Sequence, residues 1–176
     1  LLYSWVTLDL EISVFHDVAP VFSVNELCAV LPQDDNLWQA RTSSDWSALQ
    51  KQAAHAQLNL SLSELFGTYI QNGSPESLQL TSLHLRLLLY PIQSLVYNIQ
   101  QFRSCVIFEG SSRTVPRPSS KSRVSTRLGE AQTLLLQWYN LHRLHIERTA
   151  SNTQHDTKIT INLILYHLIS LDSSVC

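Results

Sequence analysis

Apolar residues recur at three- and four-residue steps through most of the chain, and this spacing constrains the fold more than any other feature. Such steps place side chains on one face of an α-helix, whereas a half-buried strand alternates in steps of two. Trp5, Leu8, Ile12 and Phe15 mark a first helix over 2–16. Trp46, Leu49 and Ala53 mark another over 44–58, and Leu128, Ala131, Leu135, Trp138, Leu141 and Leu144 one over 127–148. No series of alternating segments separated by hairpin turns is present. The expected fold class is all-α: an irregular multi-helix bundle, and a fragment of a larger helical domain.

Local signals punctuate these helices. Pro20 ends the first, because proline lacks an amide donor and restricts the residue before it. Ser23-Val24-Asn25-Glu26 and Ser61-Leu62-Ser63-Glu64 are capping boxes, in which the serine takes an orphan amide and the glutamate reaches back. The first box opens a short turn to Val30, stopped by Leu31-Pro32. Asp34 or Asp35 then caps a brief turn carrying Leu37 and Trp38. The second box opens a helix that ends at Asn72-Gly73, and Ser74-Pro75 restarts the chain. The long helix that follows, to about Phe108, contains Pro91, which predicts a kink or a split. A last helix spans 157–171.

Charged residues make up only 15% of the chain, against about 25% in an ordinary soluble domain. Some of its surface is therefore expected to lie against neighbours, leaving the isolated chain with an exposed apolar face and a tendency to self-associate. The absence of methionine, even at position 1, reads as a chain cut from something longer. The 176 residues are expected to form one helical domain, with a basic, Ser-rich linker at 110–126. Arg113, Arg117, Lys121, Arg123 and Arg127 fall in or beside that linker, with no acid among them. Their composition predicts a solvated, protease-sensitive loop, with a nuclear-import or phosphorylation-controlled segment as the alternative.

A net charge of −2 and a pI near 6.4 remove the global electrostatic footprint of a nucleic-acid binder. Cys28, Cys105 and Cys176 form neither a disulfide framework nor paired zinc ligands, and a reducing compartment fits them. The sequons at Asn59 and Asn72 lack a signal peptide. The apolar stretches over 78–99 and 159–171 are too polar or too short to cross a bilayer, so a soluble protein is expected.

Candidate chemistry is sparse. His142 and His145 are spaced to share a helical face, but no third and fourth metal ligands accompany them. Asp34-Asp35 lacks the further carboxylates of a diphosphate-binding motif, and helix capping accounts for it. No nucleophile elbow, His-Glu-x-x-His or Gly-rich phosphate loop occurs in a chain with 4 glycines. Trp5, Trp38, Trp46 and Trp138 are expected as core anchors rather than base-stacking platforms, since none is interleaved with basic residues. No catalytic, cofactor-binding or metal-binding residue is assigned.

The most distinctive stretch runs from Trp5 to Trp46. It reads Trp5, Leu8-Asp9, Glu11, Ser13 and Phe15, then Ala19-Pro20, Phe22-Ser23 and Asn25-Glu26-Leu27. Leu31-Pro32 and Asp35-Asn36-Leu37-Trp38-Gln39-Ala40 follow, then Trp46. This order resembles the fungal-specific transcription factor domain in the version found downstream of Cys-Cys-His-His zinc fingers. Leu135-Leu136-Gln137-Trp138-Tyr139 looks like that family's helix with a central Trp, and Leu165-Tyr166-His167-Leu168 like its late Tyr-His helix. Departures are Ala19-Pro20-Val21, where a Pro pair is common, and the lack of basic residues before the first helix.

The resemblance implies a non-enzymatic, nuclear regulatory module that modulates transcription by RNA polymerase II. DNA would be bound only through fingers outside this chain, so zinc is expected there and no cofactor here. Partners would be other regions of the same protein and transcriptional co-regulators, with no membrane. A helical enzyme or small-ligand-binding domain with an inter-helix pocket is the alternative, and would show buried ionisable groups gathered in one cleft.

Overall fold

The computed structural model describes residues 1–32, 41–53, 59–72, 80–109, 118–149 and 157–174. Among them are six α-helices: α1 (Leu2–His16), α2 (Ser43–Ala53), α3 (Leu62–Asn72), α4 (Ser82–Glu109), α5 (Pro118–Thr149) and α6 (Thr157–Ser174). One 3-10 turn, Val24–Glu26, follows α1, and the only extended pairing among the described residues is a single antiparallel bridge, Val30 to Ser61. The all-α expectation holds.

Helix α4 is the centre of the packing, touching α1, α3, α5 and α6. Seven consecutive residues, Leu87 to Gln93, are buried, so a full turn of its circumference faces protein. Pro91 lies inside that turn, yet the helix continues through it rather than splitting. A proline in a helix interior costs about 3 kcal/mol. Burying each of Leu87, Leu88, Leu89 and Ile92 returns about 1.5–3 kcal/mol, so tertiary packing outweighs the local penalty.

Both capping boxes form. Ser23 N–H donates to the Glu26 carboxylate at 3.2 Å, and Ser61 N–H to Glu64 at 2.8 Å. Glu64 N–H returns the bond to the Ser61 hydroxyl at 3.2 Å. The Ser61 N–H, and then the Ser61 hydroxyl donating at 2.8 Å, hold the Glu64 carboxyl below the usual carboxylate range. Helix α1 ends at Asp17, whose left-handed backbone (φ 50°) lets its amide cap the Ser13 carbonyl.

Several boundaries differ from the sequence expectation. The turn after Ser23 stops at Glu26, because Val30 and Leu31 pair with the 60–61 segment instead. Helix α5 begins at Pro118, so positions 118–126 of the expected linker are helical; proline is well tolerated at a first helical position. The remainder of that linker, Asp34-Asp35 with Leu37 and Trp38, and Ser74-Pro75 lie outside the described residues.

Candidate functional site

Helix α1 carries two apolar stripes. Tyr3, Val6, Leu10 and Val14 are buried against the body, while Trp5, Leu8, Ile12 and Phe15 face solvent at 58%, 45%, 43% and 61% exposure. At 100° per residue the outer four fall within one narrow arc, on the side away from the buried stripe. A helix that is apolar all round is normally enclosed on all sides. The Leu87 to Gln93 part of α4 meets that condition and α1 does not.

The expectation that tryptophans anchor the core therefore fails for Trp5 and for Trp46, which is 44% exposed on α2. Spacing identifies residues that share a face but not which way the face points. Trp138 on α5 does anchor the core: it is fully buried, and its indole N–H donates to the Leu85 carbonyl at 2.7 Å. Trp38 lies outside the described residues.

The inner side of α1 is fixed by polar contacts. Asp9, 8% exposed, accepts hydrogen bonds from the Tyr90 phenol at 2.7 Å and from Val21 N–H at 2.8 Å. Phe22 N–H donates to the same phenol oxygen at 2.8 Å. Burial, then the hydrogen bond and negative charge of Asp9, push the Tyr90 phenol well above its ordinary acidity range, so it stays protonated and donating. Beside this pair, Arg86 forms an ion pair with Glu11 at 3.3 Å and donates from Nε to Asn162 at 3.0 Å. Asn162, fully buried on α6, donates to the Ser82 carbonyl at 2.8 Å. These groups register α1 and α6 on α4.

Residues 17–32, after α1, form a strap over the same body. Tyr3 donates its phenol to the Ala29 carbonyl and accepts Leu62 N–H at 3.4 Å. His84 takes Thr81 N–H on Nδ1 at 3.2 Å, which leaves Nε2 to donate to the Pro32 carbonyl at 2.8 Å. Asp9, Pro20, Phe22, Ser23, Glu26, Leu31 and Pro32, the residues of the distinctive sequence pattern, thus build or hold this strap. Trp5, Leu8 and Phe15 of the same pattern do not; with Ile12 they make the outer face.

The two later patterned segments meet in space. Trp138 stacks on Tyr166 with ring centroids 5.4 Å apart, and Tyr139 stacks on the same ring at 5.3 Å. His142 stacks on the Trp138 ring at 4.9 Å and is 1% exposed. Burial, and then the charge of His145, lower the His142 imidazole to about 4, so it is neutral at physiological pH. His145 instead shares a hydrogen bond with Ser82 at 3.1 Å. The histidine pair is thus divided between an aromatic stack and a helix-helix contact. Among the described residues, no group of three or more His, Cys, Asp or Glu could hold a metal. The three most strongly shifted groups sit on separate helices: Tyr69 on α3 bonds the Leu134 carbonyl, Tyr90 on α4 bonds Asp9, and His142 on α5 stacks on Trp138. No described helix is long and apolar enough to cross a membrane.

The chain is homologous, over nearly its whole length, to fungal proteins named as transcription factors. It is 34% identical to a transcription factor of Zymoseptoria tritici, in an alignment covering 98% of this chain and 19% of that protein. It is 34% identical to Transcription factor 1 of Elsinoe fawcettii, over 97% of this chain and 18% of that protein. With Transcription factor PfmaH of Pestalotiopsis fici it shares 33% identity, over 98% and 18%. The chain thus spans about a fifth of the length of the curated relatives it matches. No family model matches it. No solved structure matches it.

Proposed function

We propose that this chain is the regulatory and interaction region of a fungal zinc-finger transcription factor, modulating transcription by RNA polymerase II in the nucleus without catalysing a reaction. The observation that carries this reading is homology along 97–98% of the chain to named fungal transcription factors. A net charge of −2 supports assigning DNA contact elsewhere, because a nucleic-acid-binding domain carries a basic footprint overall. DNA, and zinc with it, would be bound by fingers in another part of the polypeptide. Partners are other regions of the same protein and transcriptional co-regulators. The exposed stripe on α1 is the surface best suited to them, since an apolar face beside a polar rim marks an interaction site.

The test is removal of residues 1–176 in frame from the full-length protein, followed by measurement of promoter occupancy and nascent transcripts in the same cells. Occupancy should persist while output from the bound genes changes. Loss of occupancy in step with output would place DNA reading within this region and overturn the proposal.

A further inference from the structure

We infer that His84 is an acid-sensitive latch: its neutral ring holds the end of the strap on the first turn of α4, and protonation loosens that end. Thr81 directly precedes α4 and caps it, its carbonyl accepting Leu85 N–H at 3.0 Å. His84 N–H donates to the Thr81 hydroxyl at 3.3 Å, and Thr81 N–H donates back to His84 Nδ1 at 3.2 Å. This is a capping box in which histidine holds the place usually taken by glutamate or glutamine. The same ring donates from Nε2 to the Pro32 carbonyl at 2.8 Å, across 52 residues of sequence. One imidazole therefore closes the cap of a 28-residue helix and grips the strap. Only the neutral ring can do both, since it accepts at one nitrogen while it donates from the other.

Protonation turns Nδ1 into a donor that faces Thr81 N–H, so the cap opens. It also sets a positive charge at the amide end of a long helix, where the macrodipole opposes it. At 4% exposure, His84 is closed to water that could replace either bond. Among the charged groups near this turn, Arg86 of α4 is paired with Glu11 of α1, and His145 of α5 is bonded to Ser82. The helices and strap around it also carry His142, Lys158, Glu64, Tyr3 and Cys28, and Asp34 and Asp35 follow Pro32 in sequence. These groups move the pH of release up or down, but none restores the acceptor that Thr81 N–H loses.

Release is confined to the far end of the strap. The near end is pinned by Tyr90, whose phenol stays protonated and donating. At the far end, His84 acts beside Tyr3 on the Ala29 carbonyl, the Val30–Ser61 bridge, and Leu31 N–H on the Leu60 carbonyl at 2.9 Å. Together these contacts enclose Leu27 and Leu31, 1% and 3% exposed, and an open latch turns both toward solvent.

The experiment uses the full-length protein. Hydrogen–deuterium exchange is read by mass spectrometry at about pH 7.5 and about pH 5.5, either side of histidine's ordinary range, and corrected for intrinsic exchange. Peptides covering 27–31 report the strap, and peptides covering 135–141 report the core of α5. Acidification should speed exchange in the strap about tenfold relative to α5, as expected when one or two buried hydrogen bonds are lost. The side chain of His84→Gln can accept and donate as the neutral ring does but takes up no proton, so its strap should exchange alike at both pH values. His145→Gln should keep the wild-type response. Wild-type strap exchange that does not change, or that rises only in step with α5, would overturn the inference without recourse to any variant. A response that persists in full in His84→Gln, or disappears in His145→Gln, would overturn it too, by assigning the response to another group.

Discussion

Tyr90 and Asp9 are 81 residues apart in sequence and joined by a 2.7 Å hydrogen bond that ties α1, α4 and the start of the strap together. The Asp9 oxygen that accepts the phenol also accepts Val21 N–H, and the phenol oxygen accepts Phe22 N–H. One pair thus fixes both the angle of α1 and the path of the chain beyond Pro20.

Tyr90→Phe should destabilise the chain by about 2–3 kcal/mol, since it leaves a buried carboxylate and the Phe22 amide short of a partner. Denaturant unfolding of Tyr90→Phe, Asp9→Ala and the double variant measures the coupling. A coupling energy of about 1–2 kcal/mol is expected between groups in direct contact. Additive effects would mean the hydrogen bond contributes nothing to the fold.

Trp138→Phe removes the indole donor from the Leu85 carbonyl and part of the stack on Tyr166. The expected loss is about 2–4 kcal/mol, from a cavity in the core together with an unpaired polar group. Near-ultraviolet circular dichroism should lose its aromatic signal together with helix content on melting. Wild-type stability in Trp138→Phe would contradict the central role of this ring.

His142 gives the stability a pH dependence of known sign. Its folded value of about 4 lies below the ordinary 6.5, so the unfolded chain takes up the proton first as pH falls. The stabilisation is therefore complete above about pH 6.5 and is lost progressively down to about pH 4, by up to about 3 kcal/mol. Unfolding free energies measured across this range should flatten in His142→Phe relative to wild type. An identical slope in the two proteins would assign the pH dependence to other groups.

Trp5→Gln and Ile12→Gln should leave stability within about 0.5 kcal/mol of wild type, because these side chains face solvent. Thermal unfolding of each variant checks this. A loss of several kcal/mol would show that the stripe already packs inside the domain.

These outcomes locate what the sequence could and could not convey. The boundaries of α1 and α3 were legible because Pro20, Asn72-Gly73 and the Ser61–Glu64 box act within one or two turns of chain. The continuity of α4 through Pro91 was not, since it depends on the tertiary burial of Leu87 to Gln93 in a helix that packs against four others. The direction of the Trp5 stripe was also hidden. Periodicity reports a shared face, and α1 has two such faces; only the partners of Asp9 and Tyr3, 81 and 26 residues away, decide which one turns inward. The strap likewise escaped notice as a structural unit, although Asp9, Pro20, Phe22 and Pro32 all belonged to the pattern that pointed to a family. His142 and Trp138 could be paired from their four-residue spacing, whereas Tyr166 came to them from another helix.

The most direct test of the account is to introduce Trp5→Gln and Ile12→Gln together into the full-length protein, and to measure promoter occupancy and nascent transcription side by side. Unchanged occupancy with altered transcript output is predicted, because the α1 face is assigned to regulation and not to DNA. Occupancy that falls in proportion to output, or output that does not change at all, would contradict it.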